Sequence, residues 1–272
     1  MRLATVRTAS GTSAARIDAP GTATLITGHA DVGTLLRHAD WRAIAAQPGE
    51  GVAYSPADLA PVVPRPEKII CVGLNYAAHI AEMGHARPDV PTLFVKFADA
   101  LIGAHDDAEV PSVNAETLDF EGELAVVIGS RARHASEAEA AGCIAGYSII
   151  NDYTQRHFQK RTQQWHQGKS LEKTSGFGPW IDTEWRPGPE LKTWLNGELM
   201  QSAPTDDLVF SPAELISFIS GFYPLNPGDV IATGTPAGVL HAREPRRYLK
   251  DGDVVRVEIA GLGAIENTTR VV

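Results

Sequence analysis

The residues best placed to do chemistry in this sequence are acids that sit where acids are least welcome. In Leu118-Asp119-Phe120-Glu121-Gly122-Glu123-Leu124-Ala125-Val126-Val127-Ile128-Gly129 the second half is an apolar strand of the kind buried on both faces. The first half sets Asp119, Glu121 and Glu123 at alternating positions. If the strand begins by Phe120, these side chains share one face, with neighbours roughly 6–7 Å apart. Like charges entering a core strand repel unless a proton or a cation separates them. A hard divalent cation does so, because carboxylate oxygens converge on it at about 2.0–2.6 Å. An isolated Glu-x-Glu is a loose signal, and alone it reads better as a solvated strand end. A second apolar run, Gly146-Tyr147-Ser148-Ile149-Ile150-Asn151-Asp152, also ends in an acid, at a predicted strand-to-helix turn. Asp152 can there supply a third ligand, or simply cap the helix. Three oxygen ligands without Cys or clustered His point to Mg²⁺ or Mn²⁺ rather than Zn²⁺, with Ca²⁺ also admitted.

A candidate proton carrier lies upstream. His79 and Glu82 are three residues apart in Asn75-Tyr76-Ala77-Ala78-His79-Ile80-Ala81-Glu82-Met83-Gly84, on one face of a predicted helix. A carboxylate beside an imidazole raises its basicity and fixes its tautomer, as a water-activating pair requires. An ordinary surface ion pair is the plainer reading, and His134 with Glu137 shows the same spacing in a solvated stretch. The segment from Gly84 to Pro91, rich in Gly, Pro and charge, has the composition of a closing lid. Arg156, Lys160, Arg161 and Lys169 are the nearest approach to a basic cluster, suited to a small anionic metabolite. Gly168-Lys169-Ser170 fails as a phosphate-binding loop, because Gln163 stands where its leading glycine must be.

The elements that must hold these residues are mostly strands. Lys68–Val72, Thr92–Lys96, Leu124–Ile128 and Val254–Ile259 are apolar or β-branched runs bounded by turn formers. Asn196-Gly197 between strand-like flanks predicts a tight hairpin. Helices are predicted at Tyr76–Met83, Ser136–Gly142, Asp152–Gln163 and Pro212–Ser220, the last behind Ser211 as N-cap. Upstream, Leu3–Arg7 and Ala23–Thr27 read as strands, and Val32–Arg37 as a weak helix. Pro61-Val62-Val63-Pro64-Arg65-Pro66 reads as a stiff linker, so residues 1–66 are expected to form a small N-terminal domain and 67–272 the catalytic one. Strands and helices do not alternate strictly, which favours a β-rich α+β fold over a doubly wound sheet.

Bulk properties narrow the partners. Lys and Arg total 24 against 33 Asp and Glu, a formal charge of −9 that argues against nucleic acid or an anionic membrane. The two cysteines, Cys71 and Cys143, form no Cys-x-x-Cys pair, and Cys71 lies in an apolar run as a core residue would. No run approaches a membrane span and the N-terminus lacks a signal-peptide pattern, so a cytoplasmic protein is expected.

From about Lys68 to Val272 the sequence resembles the fumarylacetoacetate hydrolase family, notably its acylpyruvate hydrolase-like and 2-hydroxyhepta-2,4-diene-1,7-dioate isomerase-like members. Six motifs carry the resemblance, in the family's order: Cys71-Val72-Gly73-Leu74-Asn75-Tyr76, Asp119 to Leu124, Asn151-Asp152, Gly168-Lys169-Ser170, Asn196-Gly197-Glu198, and Pro227 to Pro236. The resemblance implies a mixed β-roll catalytic domain, a homodimer, and Mg²⁺ or Mn²⁺ held by Glu121, Glu123 and Asp152. It implies that His79 and Glu82 activate water, that Lys169 stabilises developing negative charge, and that Arg156, Gln159, Tyr76 and Thr235 hold a small 2-keto acid. The implied reaction is hydrolysis of a C–C bond in a 2,4-diketo acid of the acylpyruvate or fumarylpyruvate type, releasing pyruvate. Oxaloacetate decarboxylation and isomerisation or decarboxylation of a hydroxymuconate-type diacid share its enolate and stand as alternatives, with a non-catalytic scaffold more remote. The sequence departs from the family at Lys96-Phe97, where Lys-Pro is usual, and at Lys169-Ser170-Leu171-Glu172, where many members have Lys-Ser-Phe-Asp.

Overall fold

The first sixty residues form a strand meander, β1 (Arg2–Thr8), β2 (Gly11–Ala19), β3 (Thr22–Leu25) and β4 (Gly51–Ala53), with α1 (Val32–Leu36) and α2 (Trp41–Ala45) inserted before the last strand. The computed structural model describes residues 1–272. The proline-rich segment that follows is extended, as proline demands, but it is packed rather than free. Val62 and Val63 are buried, and Thr5 Oγ1 donates to the Val62 carbonyl at 2.8 Å.

Beyond it come β5 (Ile69–Gly73), α3 (Ala77–Glu82), β6 (Thr92–Lys96), β7 (Leu101–Ile102), β8 (Ala108–Val110), β9 (Leu118–Asp119) and β10 (Gly122–Ile128). Then follow α4 (Glu137–Gly142), β11 (Ile144–Asn151), β12 (Thr154–Gln155), α5 (Arg156–Lys160), α6 (His166–Lys169) and β13 (Ser175–Asp182). The chain closes with β14 (Glu190–Leu195), β15 (Glu198–Pro204), α7 (Pro212–Ser220), β16 (Val230–Ala232), β17 (Val254–Ile259) and β18 (Gly263–Val271).

An eleven-stranded sheet runs β4-β3-β2-β1-β13-β11-β10-β16-β5-β6, with β7 beside β13. It passes without a break from the N-terminal meander into the rest, because Arg2 and Leu3 pair with Asp182 and Ile181. A five-stranded sheet, β15-β14-β17-β18-β8, forms a second layer. Side-chain alternation along β10 shows why both layers are needed. Leu124, Val126 and Ile128 join a core with α7 and the smaller sheet, while Ala125 and Val127 join another with α1, α2, Val62 and Val63. The apolar strand is thus buried on both faces, and the strand-rich α+β reading holds.

Two local readings also hold. The β14–β15 hairpin turns on Asn196 (φ 51°) and Gly197 (φ 84°), both left-handed as a type I′ turn requires. At α7, Ser211 and Glu214 bond reciprocally in a capping box. Two readings are corrected. No helix starts at Asp152: Thr154 and Gln155 pair with Asp119 and Leu118, and this ladder delays the helix to Arg156, capped by Gln155. Nor do Asp119, Glu121 and Glu123 lie on one unbroken strand, because the same β9–β12 pairing separates Asp119 from β10. No helix is long and apolar enough to cross a membrane.

Candidate active site

Antiparallel pairing of β10 with β11 sets Gly122 opposite Asn151 and Glu123 opposite Ile150. The end of one strand therefore lies against the start of the other, and the Asp152 N–H donates to the Glu121 carbonyl at 2.8 Å. Glu121, Glu123 and Asp152 are all buried, with carboxylate oxygens within 4.8 Å of one another. Asp152 reaches this cluster because β12 has displaced the helix it was predicted to cap.

Two lysines stand beneath the cluster. Lys169, at the end of α6, places Nζ 2.6 Å from Glu121 Oε2 and 2.8 Å from Asp152 Oδ2. It gets there because α6 packs tightly on α5: a Cβ on Gly168 would come within 2.4 Å of the Gln159 amide nitrogen. Lys96 is 2% exposed, lies 2.9 Å from Asp152 Oδ1, and donates to Ser175 Oγ at 2.8 Å and to the Lys169 carbonyl. In the sequence Lys96 stands out only beside a missing proline; its signal is a lysine ending an apolar strand.

Charge is shared unequally. Burial pushes the Glu121 carboxyl up, but Lys169 and Arg156 outweigh it and hold the group at about 2. Burial, Asp152 and Glu121 all push Glu123 well above the usual carboxylate range. Its one hydrogen bond comes from the Gly234 N–H at 2.8 Å. That amide is held by a glycine at φ 102°, where a Cβ would meet Asn75 Cβ at 2.9 Å. Glu123 is thus a buried carboxylate short of positive charge. An all-oxygen set with this deficit fits a hard divalent cation, and Glu121, Glu123 and Asp152 are the residues that would hold it.

Asp119 serves the site differently. Its carboxylate accepts from the N–H groups of Phe120, Leu240 and His241 at 2.9–3.0 Å, and from Arg156 Nε and Nη2 at 2.9 and 2.7 Å. Arg156 so fixed turns Nη1 to Glu121 Oε1 at 2.7 Å and to Gln159 Oε1 at 3.1 Å. Thr235 Oγ1 donates to the Gly122 carbonyl at 2.9 Å and accepts from Gln201 Nε2 at 2.8 Å.

These groups face a cavity of about 430 Å³, whose lining includes His79, Glu121, Glu123, Arg156, Gln159, Lys169 and Thr235. His79, on α3, places Nδ1 3.1 Å from Glu82 Oε2, and Glu82 is held in turn by the Gly238 N–H at 3.0 Å. Glu82 and Asp152 stand behind the wall. Tyr76 is separate: it is 1% exposed, lies outside the lining, and its hydroxyl has no partner. Residues 84–91 carry no helix or strand, and His85 reaches the lining, as do Phe94 and Trp165, which the sequence did not single out.

Comparison with known proteins identifies the family. The family model for the fumarylacetoacetate hydrolase C-terminal domain matches residues 68–270. A mitochondrial oxaloacetate tautomerase of Bos taurus is 41% identical over 215 residues, 77% of this chain and 68% of that protein. A mitochondrial oxaloacetate tautomerase of Homo sapiens is 39% identical over 236 residues, 83% and 73% of the two chains. Among solved structures, a fumarylacetoacetate hydrolase from Exiguobacterium antarcticum superposes with TM-score 0.89 at 33% identity, covering 100% of both chains. A 5-carboxymethyl-2-hydroxymuconate delta-isomerase from Mycobacterium smegmatis gives TM-score 0.83 at 31% identity, again over 100% of both. The chain belongs to the fumarylacetoacetate hydrolase family.

Proposed function

We propose that this protein is a divalent-metal-dependent enzyme that moves a proton between C3 and the 2-keto oxygen of a small 2-keto acid, with oxaloacetate as the first substrate to test. The observation that carries the reading is the cavity that a proton carrier, His79, shares with Glu121 and Glu123, two members of a buried triad of carboxylates. A hard cation held by Glu121, Glu123 and Asp152, Mg²⁺ or Mn²⁺ by donor type, would act as Lewis acid toward the keto-acid end. Arg156, fixed by Asp119, offers its remaining donor capacity to the carboxylate. With Nδ1 held by Glu82, His79 is left Nε2 as its working atom; it removes the C3 proton and returns it to the 2-keto oxygen, or the reverse. Lys169 places positive charge where the enolate's negative charge develops. The similarity to oxaloacetate tautomerases supports this choice among reactions that share an enolate.

The second reading is hydrolysis of a 2,4-diketo acid, as expected from sequence. The His79–Glu82 pair favours it, since a carboxylate-backed imidazole also deprotonates water for attack at C4. The C3–C4 bond then breaks, its electrons forming the pyruvate enolate, which is protonated at C3. One assay separates the two: with Mn²⁺, the decay of enol absorbance of oxaloacetate is followed beside pyruvate release from acetylpyruvate and fumarylpyruvate. Accelerated enol decay that Glu123→Ala abolishes supports the tautomerase. Pyruvate release with no effect on enol decay overturns it in favour of the hydrolase. A homodimer is proposed with either reading, supported by Val95 on the outer strand of the large sheet and Phe97 just past its end, 42% and 54% exposed; light scattering tests it.

A further inference from the structure

The reaction cavity has a neighbour. A second cavity, of about 260 Å³, is lined by Arg156, His157, Lys160, Arg161, His241 and Tyr248, with Thr117 completing it and no carboxylate among them. Arg156 and Lys160 line both cavities, so their side chains form the wall between the two. In a chain of formal charge −9, a pocket of cations without an acid is out of character. Asp119 and Glu121, the carboxylates that pair with Arg156, are already engaged by it, and Glu116, next to Thr117, lines a different cavity on the other side of Tyr248.

The hydrogen bonding inside this annex is directional. Lys160 Nζ donates to His241 Nε2, which leaves the imidazole proton on Nδ1. Nδ1 lies 2.8 Å from the Tyr248 hydroxyl and donates to its oxygen. The phenol is then free to donate its own proton into the cavity. His241 is 7% exposed, and its backbone is anchored by Asp119 at 3.0 Å. Burial, Lys160 and Arg156 keep it neutral, with its pKa lowered to about 4. Burial, Arg246 and Arg156 likewise draw Lys160 below the usual lysine range. Cations crowded to this degree gain most from an oxyanion between them.

We propose that the annex is an oxyanion site in which Lys160 and Arg161 supply charge and Tyr248 a hydroxyl donor, adjoining the reaction cavity across Arg156. The group it takes is a carboxylate or a phosphate. Its source is either the far carboxylate of a 2-keto diacid whose reactive end occupies the reaction cavity, or a free phosphate ion. Lys160 faces both cavities, which favours the first source, and that version rests on the function proposed above.

The test uses two probes on the intact protein with Mn²⁺. In the first, calorimetry compares 2-oxoadipate with 2-oxohexanoate, which have the same length but differ in the distal carboxylate. A far-carboxylate site should prefer the diacid by roughly tenfold or more. Lys160→Met should bring the ratio of dissociation constants towards one, and Lys160→Arg should restore it. In the second, inorganic phosphate is titrated with oxalate saturating the reaction cavity; binding that Lys160→Met removes identifies a free-anion site. Unchanged melting temperatures of both variants exclude a folding effect. Should neither the diacid preference nor phosphate binding respond to Lys160→Met, the annex is not an oxyanion site. If phosphate binds through Lys160 but no 2-keto acid binds at all, the annex stands and the proposed function falls.

Discussion

Asp119 and Glu123 lie four residues apart, both are buried carboxylates, and their situations are opposite. Asp119 accepts five hydrogen bonds, two from a guanidinium and three from backbone amides. Glu123 accepts one from a backbone amide and faces two further carboxylates. An acid whose donors saturate it belongs to the scaffold, since removing it strands its partners. An acid surrounded by its own kind is poised for something that arrives later. The difference separates the group that aims Arg156 from the groups that would clasp a cation.

The sharpest way to break this comparison is to remove each acid. Glu123→Ala should lower activity by roughly 10³-fold and abolish the rise in melting temperature produced by Mn²⁺ with oxalate, read by thermal unfolding. Activity retained with an intact metal-dependent shift would place the cation elsewhere. Asp119→Asn should act mainly on the fold, costing about 3 kcal/mol in urea unfolding because Arg156 loses one of its two buried counter-charges, keeping only Glu121. A smaller effect of opposite sign is expected for Glu123→Gln. Without metal, this variant should melt roughly 2–5 °C higher than wild type at neutral pH, since it removes a group that must either ionise among like charges or take up a proton on folding. The sign follows from linkage: a carboxyl raised in the fold stabilises below its unfolded value, about 4.5, and loses that contribution as pH rises through its folded value. Metal-free wild type should therefore gain stability on acidification across that window, and Glu123→Gln should flatten the gain. Smallest is the proton count. Calorimetry of Mn²⁺ binding in buffers of different ionisation enthalpy should show up to about one proton released by wild type, and less by Glu123→Gln.

What the sequence made legible was local. Alternation and apolarity marked β10 as a strand covered on both sides, Asn196-Gly197 fixed a turn through two left-handed residues, and Ser211-Pro212 with Glu214 set the start of α7. What stayed hidden depended on partners distant in the chain. Asp119 looks like Glu121 and Glu123 until Arg156, Leu240 and His241 are brought to it. Asp152 looks like a helix cap until β12 pairs with β9. Lys96 gains meaning only against Asp152 and Ser175, and periodicity along a single strand carries no such information.

The pairing of β1 with β13 bears on how this chain can be divided. The family match starts at residue 68, yet β13, which adjoins β11 within the central sheet, has its Ile181–Asp182 end covered by the amino-terminal strand, while β7 pairs with Ser175 and Gly176. A protein trimmed to the matched region would leave the amide and carbonyl groups of that end unpaired, and would leave Val127, Phe177 and Ile181 without the apolar cover of Leu35, Leu36 and Trp41. Open edges of this kind recruit other strands, so the trimmed chain should self-associate. The amino-terminal residues are in this sense the selvedge of the catalytic fabric.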